Sequence, residues 1–320
     1  MNLDELRRFI GNEAGFYSLS AQEQERLRKL LAVAGVDWAG LYQELEMSHR
    51  YVDTHQDESE GGESISLHSH SFYELIFCRS NSGVEYLLGP SRYRLQRGDL
   101  LFVPPGVSHR PLLPSELVET YRRDVVWMSQ EFVTQMGQNF PALAAAGWGQ
   151  GFLLRTMGTP WEALGERIRD GVQEARRRAL GWEAYVEGNT TILLTLLVRA
   201  LAERDGAPLA AAERPELLDR VLSYIENHLS EQITLADTAR YFWVSESKIS
   251  QTFHQKLGVG FYHCVTQRRL IAAKSLIVQG TPLNAVNERV GFADYSTFFR
   301  AFKREYGISP SQFRSLQAGR

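Results

Sequence analysis

Hydrophobic and polar residues follow three different patterns along this chain, and each pattern predicts a different kind of structure. Residues 1–48 carry leucines at helical spacing among charged residues, which predicts helix. Residues 50–64 are acidic and polar and contain glycine, which is typical of a loop or linker. From residue 65 to about 126, short β-rich runs are separated by turn residues, which predicts a β-sandwich or barrel.

The β region contains five such runs, with glycine, proline or asparagine between them. The predicted strands cover residues 73–78, 84–88, 93–95, 100–103 and 118–121. Strands this short at roughly even spacing favour a closed or two-layered sheet over an open one.

A helical pattern returns over residues 129–203 and ends in a wide apolar stripe. The stripe consists of Ile192, Leu193, Leu196, Leu197, Ala200 and Leu201. A stripe of this width needs a surface to pack on. That surface is either the chain's own barrel or the same helix of a second copy, and the sequence does not choose between them.

Residues 205–216 contain proline, glycine and alanine without hydrophobic periodicity, so a domain boundary is expected there. The net charge also changes sign at this point. Residues 214–320 carry 14 Lys and Arg against 9 Asp and Glu, whereas residues 1–213 carry 21 against 29. An acidic body with a basic end suggests that only the end binds a polyanion.

The basic segment contains a short helix, a turn and a second helix with a capping residue at each start. Thr234 is the predicted cap of a helix over 235–241, a tight turn runs through Phe242 and Trp243, and Ser245 caps a helix to about residue 257. In a helix-turn-helix unit, the second helix of such a pair enters the major groove of DNA.

The same arrangement occurs again 47 residues further along the chain. Thr281 is its predicted cap, Pro282 the first helical residue, Gly291 the turn and Asp294 the cap of a helix over 295–306. Aligned by their second caps, the two units share a buried aromatic and a glycine: Phe253 with Phe302, and Gly258 with Gly307. Between them, one long helix over 261–278 is predicted to hold the units about 34 Å apart, one turn of DNA.

The segment VGFADYSTFFRAFKREYGISPSQFR, residues 290–314, resembles the signature of the AraC/XylS family of regulators almost position by position. The first unit resembles the family more loosely, through LADTARYF, SESKISQTFHQKLG and an arginine at 268 or 269. Asn287 and Trp243 depart from the family pattern, because a small apolar residue and a smaller turn residue are usual there. The resemblance implies a double helix-turn-helix domain.

Residue by residue, the resemblance implies base contacts from both second helices. These are Ser247, Ser250 and Gln251 in the first unit, and Tyr295, Ser296 and Arg300 in the second. The chemistry agrees, since arginine pairs with guanine and glutamine with adenine in the major groove. Lys248, Thr297, Lys303 and the free N–H groups at the helix starts suit phosphate contacts, and His254 lies on the same outer face.

The β region carries a second set of polar residues. His68, His70 and Glu74 are expected on one face of a strand, because side chains alternate with period two. Together with GDLLFVPPGVSH, residues 98–109, they resemble the two motifs of the cupin barrel. In metal-containing cupins the equivalents of His68, His70, Glu74 and His109 are the ligands, an N3O set suited to Zn, Fe, Mn or Ni.

Two interpretations of these residues stay open: a divalent metal site, or a polar pocket that needs no cofactor. In either case the barrel is expected to bind a small-molecule effector. The residues expected to line that site are His68, His70, Glu74, Tyr86, His109 and Arg110, with Arg94 and Trp127 as further candidates.

The predicted fold class is α+β: a cupin-like β-barrel with flanking helices, followed by an all-α double helix-turn-helix domain. The expected domains are a helical extension and linker, the barrel, a helical segment suited to dimerisation, a linker and the DNA-binding domain, over residues 1–64, 65–128, 129–204, 205–216 and 217–320.

The leading hypothesis is a transcription regulator controlled by a small molecule, and the resemblance favours a sugar as that molecule. Its expected partners are double-stranded promoter DNA, the effector, RNA polymerase and a second copy of the chain. The two cysteines, Cys78 and Cys264, fall in different predicted domains, which argues against a disulfide framework. With no signal-peptide pattern or membrane span expected, the predicted location is the bacterial cytoplasm. The alternatives are a cupin enzyme fused to a DNA-binding tail and a regulator that responds to the metal itself.

Overall fold

The computed structural model describes most of the chain from residue 47 onward. It covers residues 47, 49–62, 65, 67–144, 148–203, 209–210 and 212–318. The helix expected over residues 1–48 lies outside the described part, apart from residue 47. The described residues form two compact units. The N-terminal unit contains those between 47 and 62 and between 69 and 214, and the C-terminal unit contains 215–318 with residues 65, 67 and 68.

The N-terminal unit is built on two antiparallel sheets. Its strands are β1 Val52–Ser59, β2 Tyr73–Cys78, β3 Glu85–Leu88, β4 Ser91–Arg94, β5 Asp99–Val103, β6 His109–Leu112, β7 Tyr121–Met128 and β8 Phe152–Arg155. Five strands form one sheet in the order β1-β7-β2-β5-β8, and three form the other in the order β4-β3-β6. Together with the helices of the C-terminal unit, this gives the predicted mixed α and β fold.

The central strands of the larger sheet are buried on both faces. Along β2, Ile76 and Cys78 join the apolar cluster shared with the smaller sheet, whereas Leu75 and Phe77 face the helices. This explains why β2 and β5 read as nearly continuous apolar runs instead of alternating ones. Glu74 lies in phase with Ile76 and Cys78, so the same alternation places a carboxylate on the face shared with the smaller sheet.

Four α-helices belong to this unit: α1 Gln130–Asn139, α2 Pro141–Ala144, α3 Ala163–Arg177 and α4 Trp182–Ala202. Helix α4 carries the apolar stripe. Its Leu193, Leu197 and Ala200 are fully buried in the same cluster as strand residues of the larger sheet. Most of the stripe therefore packs on the chain's own sheet. Ile192 is the exception, because 52% of its surface is exposed.

Two strands lie where the sequence indicates other structure. The acidic segment expected to be a linker forms β1, an edge strand that pairs only with β7 in the described sheet. Its charges are matched across the pair: Arg122 lies 3.2 Å from Glu58, and Arg123 lies 3.3 Å from Asp57. Opposite charges facing each other stabilise an edge strand that hydrophobicity alone does not reveal.

The opposite edge strand, β8, lies within the segment expected to be helical. It pairs with β5, and Arg155 contacts the buried Asp99 at 2.9 Å. The run expected at 118–121 is also displaced, because β7 begins only at Tyr121 and continues to Met128. The five-stranded sheet therefore includes residues beyond 128.

The C-terminal unit is all helical in its described residues 215–318. Its helices are α5 Leu217–Asn227, α6 Leu235–Phe242, α7 Glu246–Leu257, α8 Phe261–Val278, α9 Leu283–Arg289, α10 Tyr295–Tyr306 and α11 Pro310–Ala318. The second half of α8 packs with α9, α10 and α11 around one core that includes Val286, Phe298, Phe302 and Phe313. Within the described chain, no helix combines the length and apolar character needed to cross a membrane.

Candidate nucleic-acid interface and effector site

The first helix-turn-helix unit consists of α6 and α7, and a side chain caps the start of each. Thr234 Oγ1 accepts a hydrogen bond from the Asp237 backbone N–H at 3.0 Å, and Ser245 Oγ accepts one from that of Lys248 at 3.2 Å. These bonds satisfy N–H groups that have no partner within the helix, and so fix where α7 begins. The buried face of α7 carries Ile249, Phe253 and Leu257.

The second unit consists of α9 and α10. Asp294 caps α10 by accepting hydrogen bonds from the backbone N–H and the hydroxyl of Thr297, at 2.7 and 2.9 Å. The bond from the Thr297 backbone N–H lowers the pKa of Asp294, so the cap stays ionised. Gly291 supplies the left-handed turn with φ of +78°. Helix α9 starts one residue later than expected, with Pro282 as its cap residue.

The two units repeat the same internal design. Phe253 and Phe302, eight residues after their respective caps, are both fully buried. Gly258 and Gly307 end α7 and α10 in the left-handed conformation, with φ of +70° and +76°. On α6, Thr238 is buried, whereas Ala236 is exposed. Thr238 satisfies its hydroxyl with the Thr234 carbonyl at 2.7 Å, which allows a polar residue to lie inside.

The residues predicted to contact DNA all lie on the solvent-facing sides of the two second helices. On α7 they are Ser247, Lys248, Ser250, Gln251 and His254, of which Ser250 is half-buried and the others are exposed. On α10 they are Tyr295, Ser296, Thr297, Arg300 and Lys303, of which Thr297 is half-buried. On each helix, a long polar side chain lies within hydrogen-bond distance of a hydroxyl one turn earlier. Gln251 Nε2 lies 3.4 Å from Ser247 Oγ, and Arg300 Nη2 lies 3.5 Å from Thr297 Oγ1.

The connecting helix α8 carries both Arg268 and Arg269, the two candidates for the arginine of the resemblance, and their contacts differ. Arg268 is buried and forms an ion pair with Glu226 on α5. Arg269 donates hydrogen bonds to the backbone carbonyls of Leu229 at 3.1 Å and Glu231 at 2.6 Å. Its guanidinium also lies 5.8 Å from the ring centre of Phe292, in the turn of the second unit. Arg269 therefore ties the loop before α6 to the second unit.

In the N-terminal unit, three of the predicted site residues come together between the two sheets. His70, Glu74 and His109 are buried, and their ligand atoms lie within 4.8 Å of one another. Glu74 Oε2 is 3.3 Å from His70 Nε2 and 3.2 Å from His109 Nε2. The indole N–H of Trp127 donates to Glu74 Oε1 at 2.8 Å, so both carboxylate oxygens have contacts.

The hydrogen bonds on the far side of each ring fix the tautomers. His70 Nδ1 lies 2.8 Å from the Phe72 carbonyl, and His109 Nδ1 lies 2.9 Å from the Val107 carbonyl. A carbonyl only accepts, so Nδ1 carries the proton in each ring, and in the neutral form Nε2 offers a lone pair towards Glu74.

Charge at this cluster favours a cation between the three groups. Burial lowers the pKa of His70, which favours its neutral form. Burial alone would raise the pKa of Glu74, but His109 and His70, which donate to it when they are protonated at Nε2, hold that pKa well below its usual value. An ionised carboxylate facing two imidazole lone pairs is stabilised by a proton or a metal ion placed among them. The donor set is N2O, because His68 is not part of the cluster.

The other predicted effector residues are distributed around this cluster or away from it. The Tyr86 ring is buried and stacks on His109, with centroids 6.3 Å apart. Arg110 is buried on β6, whereas Arg94 is exposed and contacts Glu85 at 3.3 Å. Sequence reasoning missed Phe72, whose ring stacks on His70 at 4.0 Å with nearly parallel planes. An aromatic two residues after the second histidine was the signal for it.

Comparison with known proteins agrees with this geometry. Residues 238–315 match a family model described as a helix-turn-helix domain. The HTH-type transcriptional activator RhaR of Salmonella dublin is 25% identical over 261 residues, which cover 78% of this chain and 86% of RhaR. RhaR of Salmonella arizonae matches with the same identity and coverage.

Solved structures resemble the chain as well. The C-terminal domain of AraT, a response regulator from Geobacillus stearothermophilus, is 33% identical, covers 32% of this chain and 86% of that domain, and gives a TM-score of 0.31. ToxT from Vibrio cholerae is 12% identical, covers 85% of this chain and all of ToxT, and gives a TM-score of 0.36.

The helix-turn-helix match includes the whole of the second unit and most of the first, and it contains the segment that resembles the AraC/XylS signature. The two curated relatives are named as transcriptional activators. This chain is a DNA-binding transcription regulator whose residues 238–315 form a helix-turn-helix domain of the AraC type.

Proposed function

We propose that the chain reads a specific operator with α7 and α10 together, and that a small molecule bound in the N-terminal unit controls that reading. The observation that carries the proposal is the tandem pair of capped helices with exposed polar faces on one compact unit. The proposed contact residues are those predicted on α7 and α10. Because the relatives are named activators, we propose activation through RNA polymerase as the outcome.

Arg300 and Lys303 provide the matched test of operator reading. Arg300 is exposed on α10 and has the geometry for a bidentate contact with guanine, whereas Lys303, one turn later, suits a phosphate. Arg300→Ala should cost about 1–3 kcal/mol of binding free energy and relax preference at one base pair. Lys303→Ala should weaken binding uniformly across sequences. Equal loss on operator and scrambled DNA for Arg300→Ala would refute the assignment.

The effector site proposed here is centred on His70, Glu74 and His109, with Tyr86 and Trp127 at its sides. Buried donors and acceptors beside aromatic rings suit a small polar ligand such as a sugar. A thermal-shift screen of sugars and organic acids tests this. A ligand at a hundred times its dissociation constant should stabilise the protein by about 2.7 kcal/mol. His109→Ala should remove the shift, and failure to do so would place the ligand elsewhere.

The facing lone pairs at the same cluster favour a second candidate, in which a divalent metal is the signal or a co-ligand. Contacts of 3.2 and 3.3 Å between Glu74 and the two histidines suit a metal with bonds of about 2.1 Å. Zn²⁺ titration of the dialysed protein should then give one equivalent per chain, abolished in His70→Ala. If no metal binds at micromolar concentration, the polar pocket without metal is the better account.

We further propose a homodimer and a cytoplasmic location, the latter because the operator is there. The solvent side of α4 supports the dimer. Tyr185 and Ile192 are seven residues apart, lie on one face and are each about half exposed. Ile192→Lys should shift the sedimentation coefficient from dimer to monomer. The domain limits proposed from the sequence are kept at residues 205–216, and the barrel is extended to include β1 and β8.

A further inference from the structure

Trp243 lies in the turn between α6 and α7, and 93% of its surface is exposed. Its backbone is left-handed, with φ of +57°, and among the described residues only Arg178 shares this property without being glycine. An L side chain is destabilised in this conformation, and a bulky one more than most. The second unit makes its turn with Gly291, at φ of +78°.

Neither folding nor packing explains a tryptophan at this position. The rings of the neighbouring Tyr241 and Phe242 both contact the ring of Tyr224, one tilted and one edge-on, with centroids 4.8 and 5.8 Å apart. Trp243 is not among the aromatic contacts of the described chain. The exposed indole of Trp243 therefore presents a large apolar surface and an N–H donor to solvent.

The turn that contains Trp243 lies directly before the helix proposed to enter the major groove. Ser245, the cap of α7, is two residues away, so the two Cα atoms are no more than about 7 Å apart. In helix-turn-helix proteins, the first residues of the second helix contact base edges, and the turn before it lies beside the backbone of the duplex. Arg240 and Lys248, three residues before and five residues after Trp243, are both exposed and basic.

We propose that Trp243 contacts the DNA strand at the edge of the major groove that receives α7. The indole ring packs on deoxyribose, and Nε1–H donates a hydrogen bond to a phosphate oxygen. The contact positions α7 in the groove without reading a base. This inference rests on the proposed reading of DNA by α7.

Trp243→Gly tests the inference because it separates binding from stability. Glycine adopts positive φ without strain, and the exposed indole contributes little to the core, so the unfolding midpoint should not fall. Affinity for DNA should nevertheless fall by about tenfold, the effect of losing a hydrogen bond to a charged group. The probe is a duplex that the full chain selects from a random library, beside a scrambled duplex of equal composition. The loss should be similar on both.

Two control variants distinguish the contact from other causes. Trp243→Phe keeps an aromatic ring without the N–H and should give an intermediate loss. Lys248→Ala removes a positive charge and should reduce the slope of log affinity against log salt by about 0.9, whereas Trp243→Gly should leave the slope unchanged. If Trp243→Gly lowers the unfolding midpoint, Trp243→Asn, which also tolerates positive φ, replaces it.

Wild-type affinity in Trp243→Gly, or a changed salt slope, overturns the inference. Retained DNA binding together with lost transcription in vitro also overturns it, because the tryptophan would then face a protein. Arg300→Ala in the same assay separates the two proposals. If Arg300→Ala loses sequence preference while Trp243→Gly binds normally, only the contact proposed for Trp243 fails.

Discussion

Replacing Gly291 with alanine perturbs the point at which the second helix-turn-helix unit meets the loop before the first. The new Cβ would lie 2.1 Å from the Leu229 carbonyl oxygen and 2.9 Å from Arg269 Nη2. That carbonyl accepts a hydrogen bond from Arg269 Nε at 3.1 Å, so the clash displaces a bond to a charged donor. Gly258 is the matched control, because it has φ of +70° but nothing within 4 Å of an added Cβ.

The two substitutions should therefore lower the free energy of unfolding by amounts that differ by the contribution of the displaced hydrogen bond. Gly258→Ala should cost about 1–2 kcal/mol for the left-handed conformation alone. Gly291→Ala should cost that amount plus about 1.5–3 kcal/mol for the lost charge-assisted hydrogen bond. Hydrogen–deuterium exchange of peptides from α7 to α10, read by mass spectrometry, measures these free energies locally. Equal costs for the two variants would refute the role given to Gly291 and Arg269 in joining the units.

Three further predictions concern the ion pair, a buried carboxyl and a cap. Glu226→Gln should destabilise the C-terminal unit by about 3 kcal/mol, because the buried Arg268 guanidinium loses its carboxylate partner. The cost of burying this charge is reflected in the pKa of Arg268, which burial lowers to about 10. A free energy of opening by hydrogen–deuterium exchange equal to that of wild type would contradict this. Burial raises the pKa of Asp99 to about 6, so its stabilising contribution is present in acid and is lost as pH rises through 6. The thermal midpoint of Asp99→Asn, measured by tryptophan fluorescence, should not fall between pH 5 and 7 as that of wild type does. If the midpoint of the variant falls as in wild type, Asp99 is not the source of the pH dependence. Ser245→Ala should lower the free energy of unfolding by about 1 kcal/mol because the α7 cap is lost, whereas Ser247→Ala on the exposed face should change it little. A similar decrease for both variants would argue against capping.

The C-terminal unit was predictable because its signals are local. A capping side chain accepts a hydrogen bond from a backbone N–H three residues later in the chain. Helix starts at Thr234, Ser245 and Asp294 are therefore recognisable from the sequence alone. The repeat then gave the buried Phe253 and Phe302 together. What local patterns do not contain is the tertiary role of Arg268 and Arg269, because their partners lie about forty residues away in the chain.

The N-terminal unit was predictable only in part, because its edge strands depend on partners distant in sequence. Strand β1 is acidic and is recognisable only once Arg122 and Arg123 are placed opposite it. The histidine pair was expected to share a strand face. However, the segment before β2 is not a regular strand, and the period of two does not apply there. His70 still reaches Glu74, whereas His68 is outside the cluster.

Specific binding as proposed requires the entry of α7 and α10 into successive major grooves on one face of the duplex. Its most direct test is to measure the affinity of the full chain for its selected operator before and after five base pairs are inserted between the two half-sites. Half a helical turn moves one half-site to the far side of the duplex. We expect a large loss of affinity, with no further loss from Arg300→Ala on the lengthened site. Unchanged affinity on that site would contradict it.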